Sequence, residues 1–150
     1  MKYIILTLIA AVAIVCLPGC THNNGDIGPY FGTWKLTGIE IDGKPDETYS
    51  GNIFWQFQST VFCMRQVNPH HDTDIRWGSW EETSDNMLAL NFTHHDDEHP
   101  AGSNFYSPLP VTGLAPAVNY LKIDRKSSSH LTLTYLSERG ATYRYQLKKW

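Results

Sequence analysis

Downstream of Gly32 the apolar residues fall on alternate positions. Trp34 and Leu36 begin the pattern, followed by Ile39 and Ile41, and by Ile53, Trp55 and Phe57. Leu88, Leu90 and Phe92 continue it, then Leu121 and Ile123, then Leu131, Leu133 and Tyr135, and finally Tyr143, Tyr145 and Leu147. Successive side chains of an extended strand point to opposite faces, so each run has one face for a core and one for water. No stretch beyond residue 30 sustains the spacing of an amphipathic helix. The chain is therefore restricted to an all-β fold of short antiparallel strands with one buried side.

The turn residues set the order. Asp42-Gly43-Lys44-Pro45 ends the first strand, and Gly38, where the alternation slips by one residue, predicts a β-bulge. Ile53 to Gln58 and Val61 to Val67 form one predicted hairpin. Ile75 to Glu82 and Met87 to Phe92 form a second around Ser84-Asp85-Asn86, and the last two strands join across Glu138-Arg139-Gly140. The total is about eight strands, the number at which an antiparallel up-and-down β-barrel closes around its own side chains or one small ligand. One stretch breaks the meander. Thr93 to Asn119 holds Pro100, Gly102, Pro108, Pro110, Gly113 and Pro116, and a connection of this length predicts a lid or flap.

Ahead of the strands, Lys2 is followed by an apolar run from Ile4 to Leu17 and by small residues before a cysteine, the order of a secretory signal peptide. The run is shorter than the roughly 20 residues a membrane-spanning helix needs. Leu17-Pro18-Gly19-Cys20 resembles the bacterial lipobox, which implies cleavage before Cys20 and attachment of acyl chains such as palmitate to its sulfur. The expected organisation is a lipoprotein signal peptide over 1–19, a polar tether over 20–29 and a barrel domain over 30–150. Thr21 in place of an aspartate predicts sorting to the outer membrane, and the lack of an acidic stretch after Cys20 predicts a periplasm-facing leaflet. Cys16 would leave with the leader. Cys63 is then the lone thiol of the domain, and its apolar surroundings in Val61-Phe62-Cys63-Met64 predict a buried, inert side chain. Formal net charge is −3, and it becomes one unit more acidic when Lys2 is removed, which argues against nucleic acid as a partner.

Gly32-Thr33-Trp34, opening the first strand, resembles the Gly-x-Trp signature of the lipocalin and calycin families. With the lipobox upstream, the chain resembles small lipocalin-like lipoproteins of Gram-negative anaerobes. The resemblance implies a barrel closed at one end by Gly32 and Trp34, with an arginine from near the C-terminal end covering the tryptophan. Arg144 is the nearest candidate for that arginine, with Arg125 and Lys148 behind it. The families' second signature, of Thr-Asp-Tyr type, has no recognisable counterpart.

Two residue sets could carry function. The rings of Trp55, Phe57, Trp77, Trp80, Tyr135, Tyr143 and Tyr145 would suit a small apolar or amphipathic ligand if they line a cavity. If they fill the barrel instead, the protein is an envelope structural or interaction module with an unspecified protein partner. The second set is His70, His71, His94, His95 and His99, five of the seven histidines, flanked by acids in two segments. Imidazole and carboxylate suit zinc or copper, so a metal site is predicted if both segments reach one rim; a solvated polar loop is the alternative. Gly-x-Ser-x-Gly, a phosphate-binding glycine loop and His-Glu-x-x-His are all missing, so no enzyme and no cofactor is expected.

Overall fold

The alternating runs become strands in a computed structural model that describes residues 28–150. The leader, Cys20 and the tether up to residue 27 lie outside the described residues. The strands are β1 (Gly32–Ile41), β2 (Lys44–Pro45), β3 (Ile53–Gln58), β4 (Val61–Val67), β5 (Thr73–Glu82), β6 (Met87–Asn91), β7 (Val118–Lys126), β8 (His130–Leu136) and β9 (Thr142–Lys149). Apart from β2, a two-residue return paired to the end of β1, they form a closed antiparallel ring in sequence order, β9 pairing back onto β1. The up-and-down barrel of about eight strands expected from the alternation is the fold.

Closure rests on β1, which serves both seams: Gly32 to Lys35 pair with β3, and Trp34 to Ile41 pair with β9. Opposite β9 the register jumps between Leu36 and Gly38, the predicted bulge, and this returns Ile39 to the inner face. A second jump lies between Ile123 and Arg125 opposite β8. Such extra residues bend and twist a strand locally, as a ring of eight requires. Tyr49 fills the gap where β1 leaves β3. Its hydroxyl donates to Leu36 O at 2.7 Å and accepts from Ile53 N at 3.2 Å, and burial pushes its pKa up to about 12.

Strand direction sorts the connections into two groups. The start of β1 and the turns at 59–60, 83–86 and 127–129 lie at one end, called the closed end below. The connections at 42–52, 68–72, 92–117 and 137–141 lie at the other, the mouth. Between them the inward side chains, among them Trp34, Trp55, Phe57, Phe62, Met64, Leu88, Leu90, Leu121 and Leu133, form one continuous buried cluster.

Candidate functional site

The closed end is built on Trp34, which is 1% exposed. A buried indole needs a partner for its N–H, and Trp34 Nε1 donates to Tyr30 O at 2.7 Å. Tyr30 thereby folds across the end of the barrel, its ring 5.7 Å from Phe57 and 5.1 Å from Trp80. Lys149 arrives from β9 with its Nζ 4.5 Å from the Trp34 ring centre, and donates to Phe31 O. Burial lowers the Lys149 pKa. Gly32 has φ +105°, and a Cβ there would stand 3.2 Å from Lys149 Nζ, so glycine is needed for the backbone and for the lysine. Lys126 closes the remaining gap, 2.6 Å from Glu82 and 5.2 Å from the Tyr30 ring centre. Burial, then the Glu82 carboxylate, holds the Tyr30 hydroxyl in its neutral form.

At the mouth the barrel is stoppered by the connection between β6 and β7. A 3₁₀ turn at Pro110–Thr112 turns Leu109, Thr112 and Leu114 into the ring, where all three are buried. Thr112 Oγ1 donates to Leu109 O at 2.7 Å, and Thr112 O accepts from Tyr145 Oη at 2.6 Å. Gly113 lies directly on Tyr143. Its φ is +69°, and a Cβ would sit 2.2 Å from the ring. The segment returns to β7 through Asn119, whose amide accepts from Ala115 N at 2.8 Å and donates to Ala115 O at 2.9 Å and Ala117 O at 3.0 Å.

Beneath this plug lies an aromatic wall. Tyr143 and Tyr145 are stacked at 6.3 Å, Trp55 is 5.3 Å from Tyr145, and Phe62 is edge-on to Trp55 at 5.5 Å. Trp55 Nε1 is buried without a hydrogen-bond partner. Burial raises the Tyr145 and Tyr135 hydroxyls above the usual phenol range, so both are neutral donors at ordinary pH. Between the plug and the β8–β9 hairpin is a cleft of about 420 Å³, lined by Pro110, Leu114, Tyr135, Glu138, Arg139 and Tyr143.

The sequence matches no family model and no curated protein. Among solved structures, a lipocalin-like protein from Bacteroides uniformis aligns with TM-score 0.60 at 17% identity, covering 82% of this chain and 100% of that one. An uncharacterized protein from Bacteroides eggerthii aligns with TM-score 0.58 at 17% identity, covering 81% and 99%. The barrel is lipocalin-like.

Within the lipocalin-like barrel the aromatic set divides three ways. Trp55 and Phe57 are buried in the core, Trp80 packs at the closed end, and Tyr135, Tyr143 and Tyr145 stand at the mouth. Trp77 does not join them. It has the opposite parity to Trp80, faces outward, and lies 6.4 Å from Phe105 of the long connection. Arg144 is also outside, ion-paired with Glu40 at 3.6 Å; the cation over Trp34 is Lys149.

The histidines do not converge. His70 and His71 are exposed in a 3₁₀ turn at Pro69–His71, His94 is engaged by Ser79 Oγ at 2.9 Å, and His99 by Asp96 at 3.0 Å. His95 is exposed in the same connection. Among the described residues no three His, Cys, Asp or Glu side chains are placed to hold an ion. Cys63 is buried on the outer side of β4, its thiol donates to Gln56 Oε1 at 3.1 Å, and burial pushes its pKa up, so it has no thiolate to offer.

Two residues of the site were not singled out from the sequence although its alternation marks them. Asn119 shares the parity of Leu121 and Ile123, which places an amide on the core face where it must find partners. Lys149 shares the parity of Tyr145 and Leu147, whereas Arg144 does not.

Proposed function

We propose that this chain is a lipid-anchored, non-catalytic envelope protein whose barrel binds a small apolar or amphipathic molecule at its mouth, with the Pro110–Pro116 segment as the lid. The cleft between that segment and the tyrosines of the β8–β9 hairpin carries the reading. Its volume lies in the usual range for small-molecule sites, roughly 300 to 1,000 Å³. Tyr135 and Tyr143 offer apolar ring faces, while Glu138 and Arg139 supply a polar edge, so a molecule with one apolar and one polar end fits. Titration of the mature protein with an anilinonaphthalene sulfonate probe should give one site. Tyr143→Ala should weaken it about 10-fold, the worth of roughly 1.4 kcal/mol of ring contact. Unchanged probe binding in that variant would remove the mouth as the site.

A second reading is supported by the interior itself, since Trp55, Phe57, Phe62, Met64, Leu88 and Leu90 are all essentially inaccessible. A filled barrel suits an envelope interaction module that works through its surface. Recovery of one stoichiometric protein partner, lost on shortening the 92–117 connection, would favour it over ligand binding.

Anchoring rests on the leader and Cys20. Cys20→Ser should abolish the acyl mass increment on the mature N-terminus and shift the protein out of the detergent phase. Identical partitioning and mass in both proteins would overturn the anchor. Outer-membrane, periplasm-facing placement predicts that the domain survives protease treatment of whole cells.

A further inference from the structure

We infer that the outer wall formed by β3, β1, β9 and β8 is a contact face for an anionic lipid bilayer. Cross-strand pairing lines up Arg65 with Phe54, Phe54 with Lys35, Lys35 with Lys148, and Lys148 with His130. All five side chains have the parity of the outer face, and no acid stands in the row. Lys35 and Lys148 are directly opposite one another, an arrangement that costs stability when both are charged. Among the described residues, no ion pair engages Lys35, Lys148, Arg65 or Arg125. A wall that keeps like charges adjacent and unneutralised in a chain with net charge −3 is built for an outside anion.

Trp150 points to what kind of anion. It follows Lys148 on the same face, is 74% exposed, and rests edge-on against Phe54 at 5.3 Å with Lys35 Nζ 5.4 Å from its ring centre. Indole rings among lysines settle at the headgroup level of a bilayer, where one part is apolar and the other wet. The one acid on the wall, Glu40, lies toward the mouth and is already paired with Arg144 at 3.6 Å. The mouth connections hold Asp42, Asp46, Glu47, Asp72, Asp96, Asp97, Glu98 and Glu138. An anionic surface would attract the lysine wall and repel the mouth, leaving the mouth cleft open to solution.

This inference rests on the anchoring reading for its setting, because a tether over 20–29 reaches at most about 35 Å when extended. The wall would then always lie near the membrane. The test separates the two. Mature chain beginning at residue 20 and carrying Cys20→Ser has no acyl group, yet contains every strand of the barrel. It should sediment with vesicles of equal phosphatidylcholine and phosphatidylglycerol but not with phosphatidylcholine alone, and release at 1 M salt. Lys35→Gln and Lys148→Gln should each weaken binding about 5-fold, near the usual contribution of one lysine at an anionic surface, and about 25-fold together. Trp150→Ala should also weaken it and abolish the blue shift of tryptophan emission. Lys44→Gln, at the mouth, should change nothing. The double lysine variant should melt no lower than the parent, since it relieves a like-charge contact, so lost binding would not reflect unfolding. Equal binding to neutral vesicles, no binding to anionic ones, or binding indifferent to Lys35 and Lys148 would each overturn the inference. A wild type without acyl mass would overturn the anchor while leaving the vesicle result standing.

Discussion

At the Trp34 end the barrel is sealed almost entirely by residues of its own strands and the turn leading into them, whereas at the mouth it is sealed by a segment that leaves the ring after β6 and returns at β7. The closed end joins Trp34, Tyr30 and Lys149 through ring contacts, a hydrogen bond and a cation over an aromatic face. At the mouth Leu109 and Leu114 join Tyr135 and Tyr145 in the buried cluster, and Tyr145 holds the segment by the backbone of Thr112. Both ends exclude water, but lifting the lid disrupts no barrel strand pairing, and opening the closed end does. Local opening therefore costs less at the mouth than at the closed end.

The comparison would be broken most directly at Trp34. Trp34→Ala removes a fully buried ring, and such truncations cost about 3–5 kcal/mol. It also leaves Tyr30 O without its indole donor and Lys149 without its ring. The denaturant midpoint should fall accordingly, with hydrogen exchange accelerated in β1, β3 and β9 together. A loss below about 1 kcal/mol would mean that Trp34 is not the seal.

Gly113→Ala should produce a smaller and more local effect at the opposite end. The methyl group would meet Tyr143 at 2.2 Å on a backbone with φ +69°. Left-handed backbone costs a non-glycine residue about 1–2 kcal/mol, and overpacking adds a comparable amount. Because the segment can lift, about 2 kcal/mol should appear mainly as faster exchange at residues 109–114, with β1 still protected. Global loss of protection would show that the mouth is as structural as the closed end and that there is no separate lid.

The sequence made the ring legible because alternation is a local signal: each strand shows its inner face by itself, and the Gly38 bulge appears as a slipped residue. The plug was visible only as an irregular stretch. Its insertion depends on contacts between Gly113 and Tyr143 and between Thr112 and Tyr145, more than 25 residues apart, for which no period exists. Nearness to the C-terminal end points to Arg144 as the cation over Trp34, whereas strict alternation from Tyr145 selects Lys149. Trp77 and Trp80 are alike in chemistry, but their odd spacing sets them on opposite faces. The histidine segments looked alike in composition, but one lies in the Pro69–His71 turn and the other is tied down beside β5 by Ser79 and Asp96.

Tyr145→Phe sharpens the mouth side of the comparison. It deletes the hydroxyl that donates to Thr112 O at 2.6 Å while keeping the ring against Trp55. A single such hydrogen bond contributes about 1 kcal/mol net. The variant should lose about that much, admit probe to the mouth faster, and leave the closed end unaltered. An unchanged probe association rate would show that Thr112 is not where the lid is held.

The smallest effect is expected in the part of the long connection that runs beside β5 before it reaches the mouth. Asp96 accepts from Tyr106 Oη at 2.7 Å and from His99 N at 2.6 Å, and lies 3.0 Å from His99 Nδ1, while the His99 ring stacks on Phe105 at 3.9 Å. The Tyr106 hydroxyl first, and then the His99 groups, hold the Asp96 carboxyl below its ordinary value of 3.8. A carboxyl with a lowered folded pKa stabilises its surroundings fully above the unfolded value, and that support is lost as pH falls through the folded one. The group is exposed to water, so the consequence should be local order and not global stability. Carbon-detected titration should find the Asp96 carboxyl protonating below pH 3.8, with the amide signals of residues 96–106 shifting in step. Signals from β1 and β9 should not follow that titration. In Asp96→Asn those loop signals should already resemble the acid form at neutral pH and lose this titration. If they match wild type at neutral pH, or if Asp96 titrates at or above 3.8, Asp96 does not organise this stretch, and the lid is held only where Gly113 meets Tyr143 and Thr112 meets Tyr145.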